Sequence, residues 1–123
     1  MAKNLEMTIL LDFYGDMLTP KQRDFLDYYY NQDYSLAEIA ANVGITRQGV
    51  RDAIKRAEAK LLSMEEKLGL VRRNREMAAL VAEIRRNAEK AAVRAYQVRA
   101  PREIIAAASD IDTLAERLEE YLK

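Results

Sequence analysis

Ser35-Leu36-Ala37-Glu38-Ile39-Ala40-Ala41-Asn42-Val43-Gly44-Ile45-Thr46-Arg47-Gln48-Gly49-Val50 holds two helix starts separated by a glycine. Ser35 with Glu38 three residues on has the form of a capping box, in which the hydroxyl and the carboxylate each satisfy a backbone N–H that the first helical turn leaves without a partner. Ile39 and Val43 then form the inward stripe of a short helix that ends near Asn42. Gly44 can take the left-handed conformation that turns the chain sharply, and Thr46 can cap a second helix two residues later. Ala40 leaves room for the two helices to cross closely. This is the pattern of a helix-turn-helix.

The second helix continues through Val50, Ile54, Ala57, Leu61, Met64 and Leu68, an apolar stripe at spacings of four and three. The opposite face of its N-terminal end carries Arg47, Gln48, Arg51 and Lys55 beside the capping Thr46. A recognition helix meets DNA with such side chains: Arg donates two parallel hydrogen bonds to guanine, Gln pairs with adenine, and a further Lys or Arg neutralises phosphate. Thr46, Arg47, Gln48, Arg51 and Lys55 are therefore the candidate DNA-binding residues. Asp52 on the same face opposes this charge, and an ordinary solvated face would carry similar residues.

Upstream, Leu5, Ile9, Phe13 and Met17, with Leu10 and Tyr14 beside them, recur at helical spacing and predict a first amphipathic helix stopping near Leu18. Thr19-Pro20-Lys21-Gln22 starts the next: Thr19 caps, Pro20 fits the first turn, and Gln22 reaches back. Phe25, Leu26, Tyr29 and Tyr30 supply its buried face, with Tyr28 more exposed, and Asn31-Gln32-Asp33 is a polar stop.

The 123-residue chain is one domain's worth of sequence and has no His, Cys or Trp. Zinc sites of the Cys/His type, disulfides, thiol nucleophiles and imidazole bases are thereby excluded. Four scattered glycines build neither a P-loop nor a dinucleotide-binding loop. Neither enzymatic activity nor a cofactor is expected. Met77 to Ala82 is the longest apolar run, far below the ~20 residues that cross a bilayer, and no basic-then-apolar signal opens the chain, so a cytoplasmic protein without membrane insertion is expected. Few Pro and Gly among many Ala, Leu, Glu, Arg and Lys predict an all-α fold. The formal net charge of zero is patterned: residues 1–46 carry a net −4, 47–62 a net +3, 63–102 a net +5 and 103–123 a net −4. A polyanion would meet the middle of the chain.

Leu18-Thr19-Pro20-Lys21-Gln22-Arg23, Asp33-Tyr34-Ser35-Leu36-Ala37-Glu38-Ile39-Ala40 and Gly44 to Val50 together resemble region four of bacterial sigma factors, the module that binds promoter DNA. A closer resemblance, over residues 4–70, is to the YlxM family of small helix-turn-helix proteins. It is carried by Asn4-Leu5-Glu6-Met7-Thr8-Ile9-Leu10-Leu11-Asp12-Phe13-Tyr14-Gly15, by Tyr28-Tyr29-Tyr30-Asn31, and by Ile45 to Glu58 through Glu66-Lys67-Leu68-Gly69-Leu70. That resemblance implies a sigma-like all-α fold, and a role in the signal recognition particle pathway through gene neighbourhood with that particle's GTPases. It weakens after Leu70, where an Ala- and Arg-rich segment begins.

The expected organisation is a helix-turn-helix domain over 1–69 and a helical extension over 70–123. In the extension Met77, Ile84, Ala91 and Val98 fall every seven residues, with Leu80, Val81, Ala88 and Ala95 between them, a stripe suited to helix packing or dimerisation. Arg86, Lys90 and Arg94 form a basic row that Glu116, Glu119 and Glu120 of the following segment are suited to answer, in the same chain or a second subunit. That segment repeats Ile104, Ala108, Ile111, Ala115, Leu118 and Leu122 after Pro101, and Ser109 with Asp112 leaves one helix or two open. Two functions follow: a homodimeric regulator that binds double-stranded DNA, or an interaction protein that docks a protein or RNA component of the signal recognition particle machinery.

Overall fold

The computed structural model describes residues 3–122. Among them lie six α-helices and no strand: α1 (Glu6–Tyr14), α2 (Pro20–Leu26), α3 (Leu36–Val43), α4 (Arg47–Leu68), α5 (Leu70–Gln97) and α6 (Arg102–Leu122). The fold is all-α, as composition dictates. Two compact units divide the chain, Met1–Val71 and Arg72–Lys123.

The first unit is built around α4. Val50, Ile54, Ala57 and Leu61 of its stripe are fully buried, and α1, α2 and α3 all pack against it. Burying side chains such as Leu26, Ile39, Ile54 and Leu61 contributes about 1.5–3 kcal/mol each before the entropy of ordering them is subtracted. Leu68, at the end of the predicted stripe, is exposed because it falls where Gly69 turns the chain at φ +63°.

The face of α1 differs from expectation. Met7, Leu10, Leu11 and Tyr14 are buried, whereas Leu5 is 75% exposed and Phe13 and Met17 also face solvent. The segment is apolar on more than one side, so spacing alone admits two stripes. The stripe that wins is the one whose Tyr14 hydroxyl has a partner inside. That hydroxyl donates to Glu65 Oε1 and accepts the Leu70 N–H at 3.0 Å, while Glu65 Oε1 also accepts the Val71 N–H at 3.0 Å. Two N–H groups of the first turn of α5 are thereby satisfied by side chains from α1 and α4. Burial, and then the bond to Glu65, raise the Tyr14 pKa above its ordinary value.

α1 stops at Tyr14 and the chain continues as a tight 3₁₀ turn, Gly15–Met17, before α2. Thr19 and Gln22 close the expected capping box, at 3.2 Å in both directions. α2 ends in a single π turn, Asp27–Asn31, which helical spacing alone does not predict. Asp27 holds it with both oxygens, accepting from Asn31 Nδ2 and Gln32 Nε2 at 2.8 Å, and these bonds lower the Asp27 pKa. Phe25, Leu26 and Tyr29 are buried as expected. Tyr30 is half-buried, its hydroxyl donating to Glu58 Oε1 of α4.

The second unit contains the antiparallel pair made by α5 beyond Val71 and α6. Its seam is narrow and alanine-rich: Val81, Ala88 and Ala95 at heptad spacing on α5, Ala108 and Ala115 on α6. Arg85 lies in the same register and bonds Asp112 at 3.3 Å and Glu119 at 2.9 Å. The expected pairing through Arg86, Lys90 and Arg94 is therefore made within the chain by Arg85, the residue that points to the seam. Met77, Leu80 and Ile84 lie outside the seam and are exposed. The segment after Pro101 is one helix: Thr113 Oγ1 donates to the Ser109 carbonyl within α6, so neither residue starts a new one. At the end of α5, Arg99 takes a left-handed φ of +56° while the Ala100 N–H donates to the Ala95 carbonyl, a Schellman-type closure without glycine.

Candidate nucleic-acid interface

α3 and α4 form the helix-turn-helix. Ser35 Oγ accepts the Glu38 N–H at 3.1 Å and Glu38 Oε1 accepts the Ser35 N–H at 3.2 Å, which fixes the first residue of α3. At its other end Gly44 adopts φ +82°, and its N–H donates to the Ala40 carbonyl at 2.9 Å. Ile39 and Ala40 turn toward α4. Val43, expected in the inward stripe, is exposed, because α3 ends there and its last turn passes beyond the buried face.

Only Gly44, Ile45 and Thr46 separate the two helices. Thr46 Oγ1 accepts the Gly49 N–H at 3.0 Å, so the predicted cap of α4 is formed. A Cβ at Gly49 would stand 3.1 Å from that oxygen, which explains a glycine inside the first turn of a helix. The hydroxyl is thus engaged with its own helix, while Thr46 itself is exposed.

Arg47, Gln48 and Lys55 are exposed and Arg51 is half-buried on its flank of α4. With 100° per residue, Gln48, Asp52 and Lys55 lie opposite the buried Val50, Ile54 and Leu61, and Arg47 and Arg51 lie to one side. The structure brings these five positions onto the first turns of one helix. They are not equivalent. Gln48 Nε2 donates to Asp52 Oδ1 at 3.0 Å, so the amide that would read a base edge already has a partner on its own helix. Arg47 borders a shallow hollow of about 330 Å³ together with Lys3, Tyr29, Asp33, Ser35 and Glu38. Beside it Lys3 Nζ pairs with Asp33 at 2.6 Å and sits 4.4 Å from the Tyr29 ring centre, and this ammonium holds the Asp33 carboxyl below its ordinary pKa.

Two cations outside the expected set lie near this face. Lys21 of α2 and Arg56 of α4 line a hollow of about 220 Å³ between the two helices, with Thr19, Gln22, Ile45 and Gly49. Arg56 was legible as the base after Lys55. Lys21 was not, because only the packing of α2 on α4 brings it there.

Among the described residues no helix is long and apolar enough to cross a membrane. Residues 1–99 match the family described as "Putative helix-turn-helix protein, YlxM / p13 like". The chain is 53% identical over 81 residues to a UPF0122 protein of Caldanaerobacter subterraneus subsp. tengcongensis, covering 66% of this chain and 69% of that one. It is 51% identical over 85 residues to a UPF0122 protein of Thermoanaerobacter sp. strain X514, covering 69% and 73%. A UPF0122 protein of Acetivibrio thermocellus is 59% identical over 71 residues, 58% of this chain and 61% of its own. With its capped α3, left-handed Gly44 turn and capped α4, this chain belongs to the UPF0122 family of YlxM/p13-like helix-turn-helix proteins.

Proposed function

We propose that this protein is a regulatory protein that binds double-stranded DNA with the N-terminal turns of α4, acting as a homodimer in the cytoplasm and without catalytic activity. The carrying observation is the joint: a helix capped by Thr46, set three residues after α3, with Gln48 and Lys55 on its outer side and Arg47 and Arg51 on one flank. In this reading Arg47 and Arg51 donate to base edges, Gln48 reads a base after exchanging Asp52 for DNA, and Lys55 contacts phosphate together with Lys21 and Arg56. Two recognition helices in a dimer would read half-sites about one helical turn, ~34 Å, apart. Asp52 and the acidic residues 1–46 limit non-specific attraction, so discrimination between sequences would rest on the base contacts.

A second reading is favoured by the Gln48–Asp52 bond, which removes a base-reading group in the free protein. Here the helix-turn-helix scaffold serves as a docking surface for a protein or RNA component of the signal recognition particle machinery, the pathway to which the family resemblance points.

Selection from a random double-stranded DNA pool, run beside the Arg47/Arg51/Lys55→Ala triple variant, separates the two. An enriched, roughly palindromic motif that the variant fails to select supports the DNA reading. Binding without enrichment that vanishes equally for all sequences as salt rises would refute base readout.

A further inference from the structure

The second unit is amphipathic at the level of the helix pair. Its seam uses one stripe of each helix, and a second apolar stripe remains outside: Met77, Leu80 and Ile84 on α5, with Ile111, Leu114 and Leu118 on α6. Leu80 is 60% and Leu114 58% exposed. Taking 100° per residue, the outer stripe is centred about 45° round from the seam on α5 and about 75° on α6, in the same rotational sense. Because the two helices run antiparallel, rotation in the same sense places both stripes on one side of the pair. The other side carries Arg75, Arg86, Glu89, Glu116 and Glu120 around the exposed Val93 and Tyr96 of α5.

These six side chains with Ile104, each about half exposed, leave on the order of 700 Å² of apolar surface uncovered, close to the ~800 Å² that each partner contributes to a specific interface. It exceeds the few hundred Å² a monomer ordinarily exposes in one patch.

The charges along the rim of this face indicate what covers it. On α5 the outer-edge positions seven apart are Glu76, Glu83 and Lys90, and on α6 they are Glu103, Asp110 and Arg117. Both helices read acid, acid, base. Arg85 bonds both Asp112 and Glu119, so it stands level with the stretch between them, near Ala115. The midpoint between Glu83 and Lys90 is therefore level with the midpoint between Asp110 and Arg117. One two-fold axis through that level satisfies both helices. Laid face to face with α5 on α5, Glu83 meets Lys90 of the second copy and Asp110 meets its Arg117. With α5 on α6, Glu83 meets Arg117 and Lys90 meets Asp110 of the second copy. Either two-fold opposes unlike charges while closing the apolar face into a four-helix bundle.

We propose that this face of the α5–α6 pair is the self-association surface, and that its occupant is the same face of a second copy of this chain. The proposal specifies the dimer assumed above and is independent of DNA binding. Val81, Ala88 and Ala95, which share the apolar run of α5, hold the pair together, and the residues between them hold the copies together.

Sedimentation equilibrium of the full chain in the absence of DNA tests this. At about 20 µM the expected mass is twice the 14.1 kDa of the chain, and Ile84→Glu/Ile111→Glu is expected to sediment at the single-chain mass with its helical circular dichroism retained. Should that double variant unfold, the rim gives a milder test. Glu83→Lys is expected to weaken association tenfold or more, and adding either Lys90→Glu or Arg117→Glu to it to restore dimerisation, the restoring partner naming the two-fold. A wild-type chain that is monomeric at 20 µM, or a folded double variant that remains a dimer, overturns the proposal. Failure of DNA selection with an intact dimer would leave this surface standing and remove only the DNA reading.

Discussion

Tyr14→Phe isolates a single oxygen at the junction of α1, α4 and α5. The ring stays, filling the same fully buried space, so no cavity is opened. What disappears is the bond to the Glu65 carboxylate and the acceptor for the Leu70 N–H. A hydrogen bond to a charged group contributes about 1.5–3 kcal/mol and a neutral one about 0.5–1.5 kcal/mol. Glu65 keeps the Val71 N–H and is only half-buried, so water recovers part of the loss. The expected destabilisation is about 1–3 kcal/mol, corresponding to a midpoint lowered by roughly 4–8 °C per kcal/mol in a domain of this size. Urea unfolding at pH 7, followed by circular dichroism, measures it. The alkaline limb gives an independent check. The folded-state pKa of Tyr14 lies above its ordinary value of 10.0, so the hydroxyl's contribution is complete below pH 10 and is lost as pH rises through the folded value. The Phe variant should lack that component of alkaline destabilisation. A variant within 0.5 kcal/mol of wild type, with an unchanged alkaline limb, would refute the junction's role.

Four further outcomes are expected. Gly44→Ala, at φ +82°, should cost about 1 kcal/mol although its Cβ meets nothing within 4 Å, and thermal unfolding of the variant checks this. Arg99→Gly, at φ +56°, should do the opposite and stabilise the α5–α6 pair by about 1 kcal/mol; a lower midpoint would contradict the strain assigned there. Thr46→Ala should remove about 1 kcal/mol by leaving the Gly49 N–H uncapped, visible in denaturant titration. Asp27 has a depressed folded-state pKa, so its contribution is present above its ordinary value of 3.8 and is lost as pH falls through the folded value. Asp27→Asn should be less stable at pH 7 and show a shallower acid limb, whereas an unchanged limb would assign the acid sensitivity elsewhere.

The features legible in the sequence are those fixed within a few residues. Thr19 with Gln22, Ser35 with Glu38, Thr46 and Gly44 each act on backbone groups one turn away, so their types and spacing determined the helix starts and the turn of the helix-turn-helix. The same local logic places Arg47, Gln48, Arg51 and Lys55 in the N-terminal turns of α4, but not all opposite the buried stripe as expected: Arg47 and Arg51 lie on one flank, and Arg51 is half-buried. What the sequence did not reveal depends on partners distant in the chain. α1 carries apolar residues on more than one side, and Glu65 decides which side turns inward. In α5 one long apolar run serves two stripes, and only packing against α6 separates Val81, Ala88 and Ala95 from Met77, Leu80 and Ile84. Nothing local distinguishes Arg85 from Arg86; Asp112 and Glu119, distant in the chain, do. The Gln48–Asp52 bond is local but involves a choice of rotamer that spacing leaves open.

The most direct measurement of the central claim is fluorescence anisotropy with the motif recovered from the random pool, comparing wild type with Arg47→Ala, Arg51→Ala and Lys55→Ala at fixed, near-physiological salt. The expected result is a loss of about 1–3 kcal/mol for each arginine on the selected motif with little change on scrambled DNA, and for Lys55→Ala a similar, smaller loss on both. Equal affinity of wild type and both arginine variants for the motif would contradict the assignment of α4 as the recognition helix.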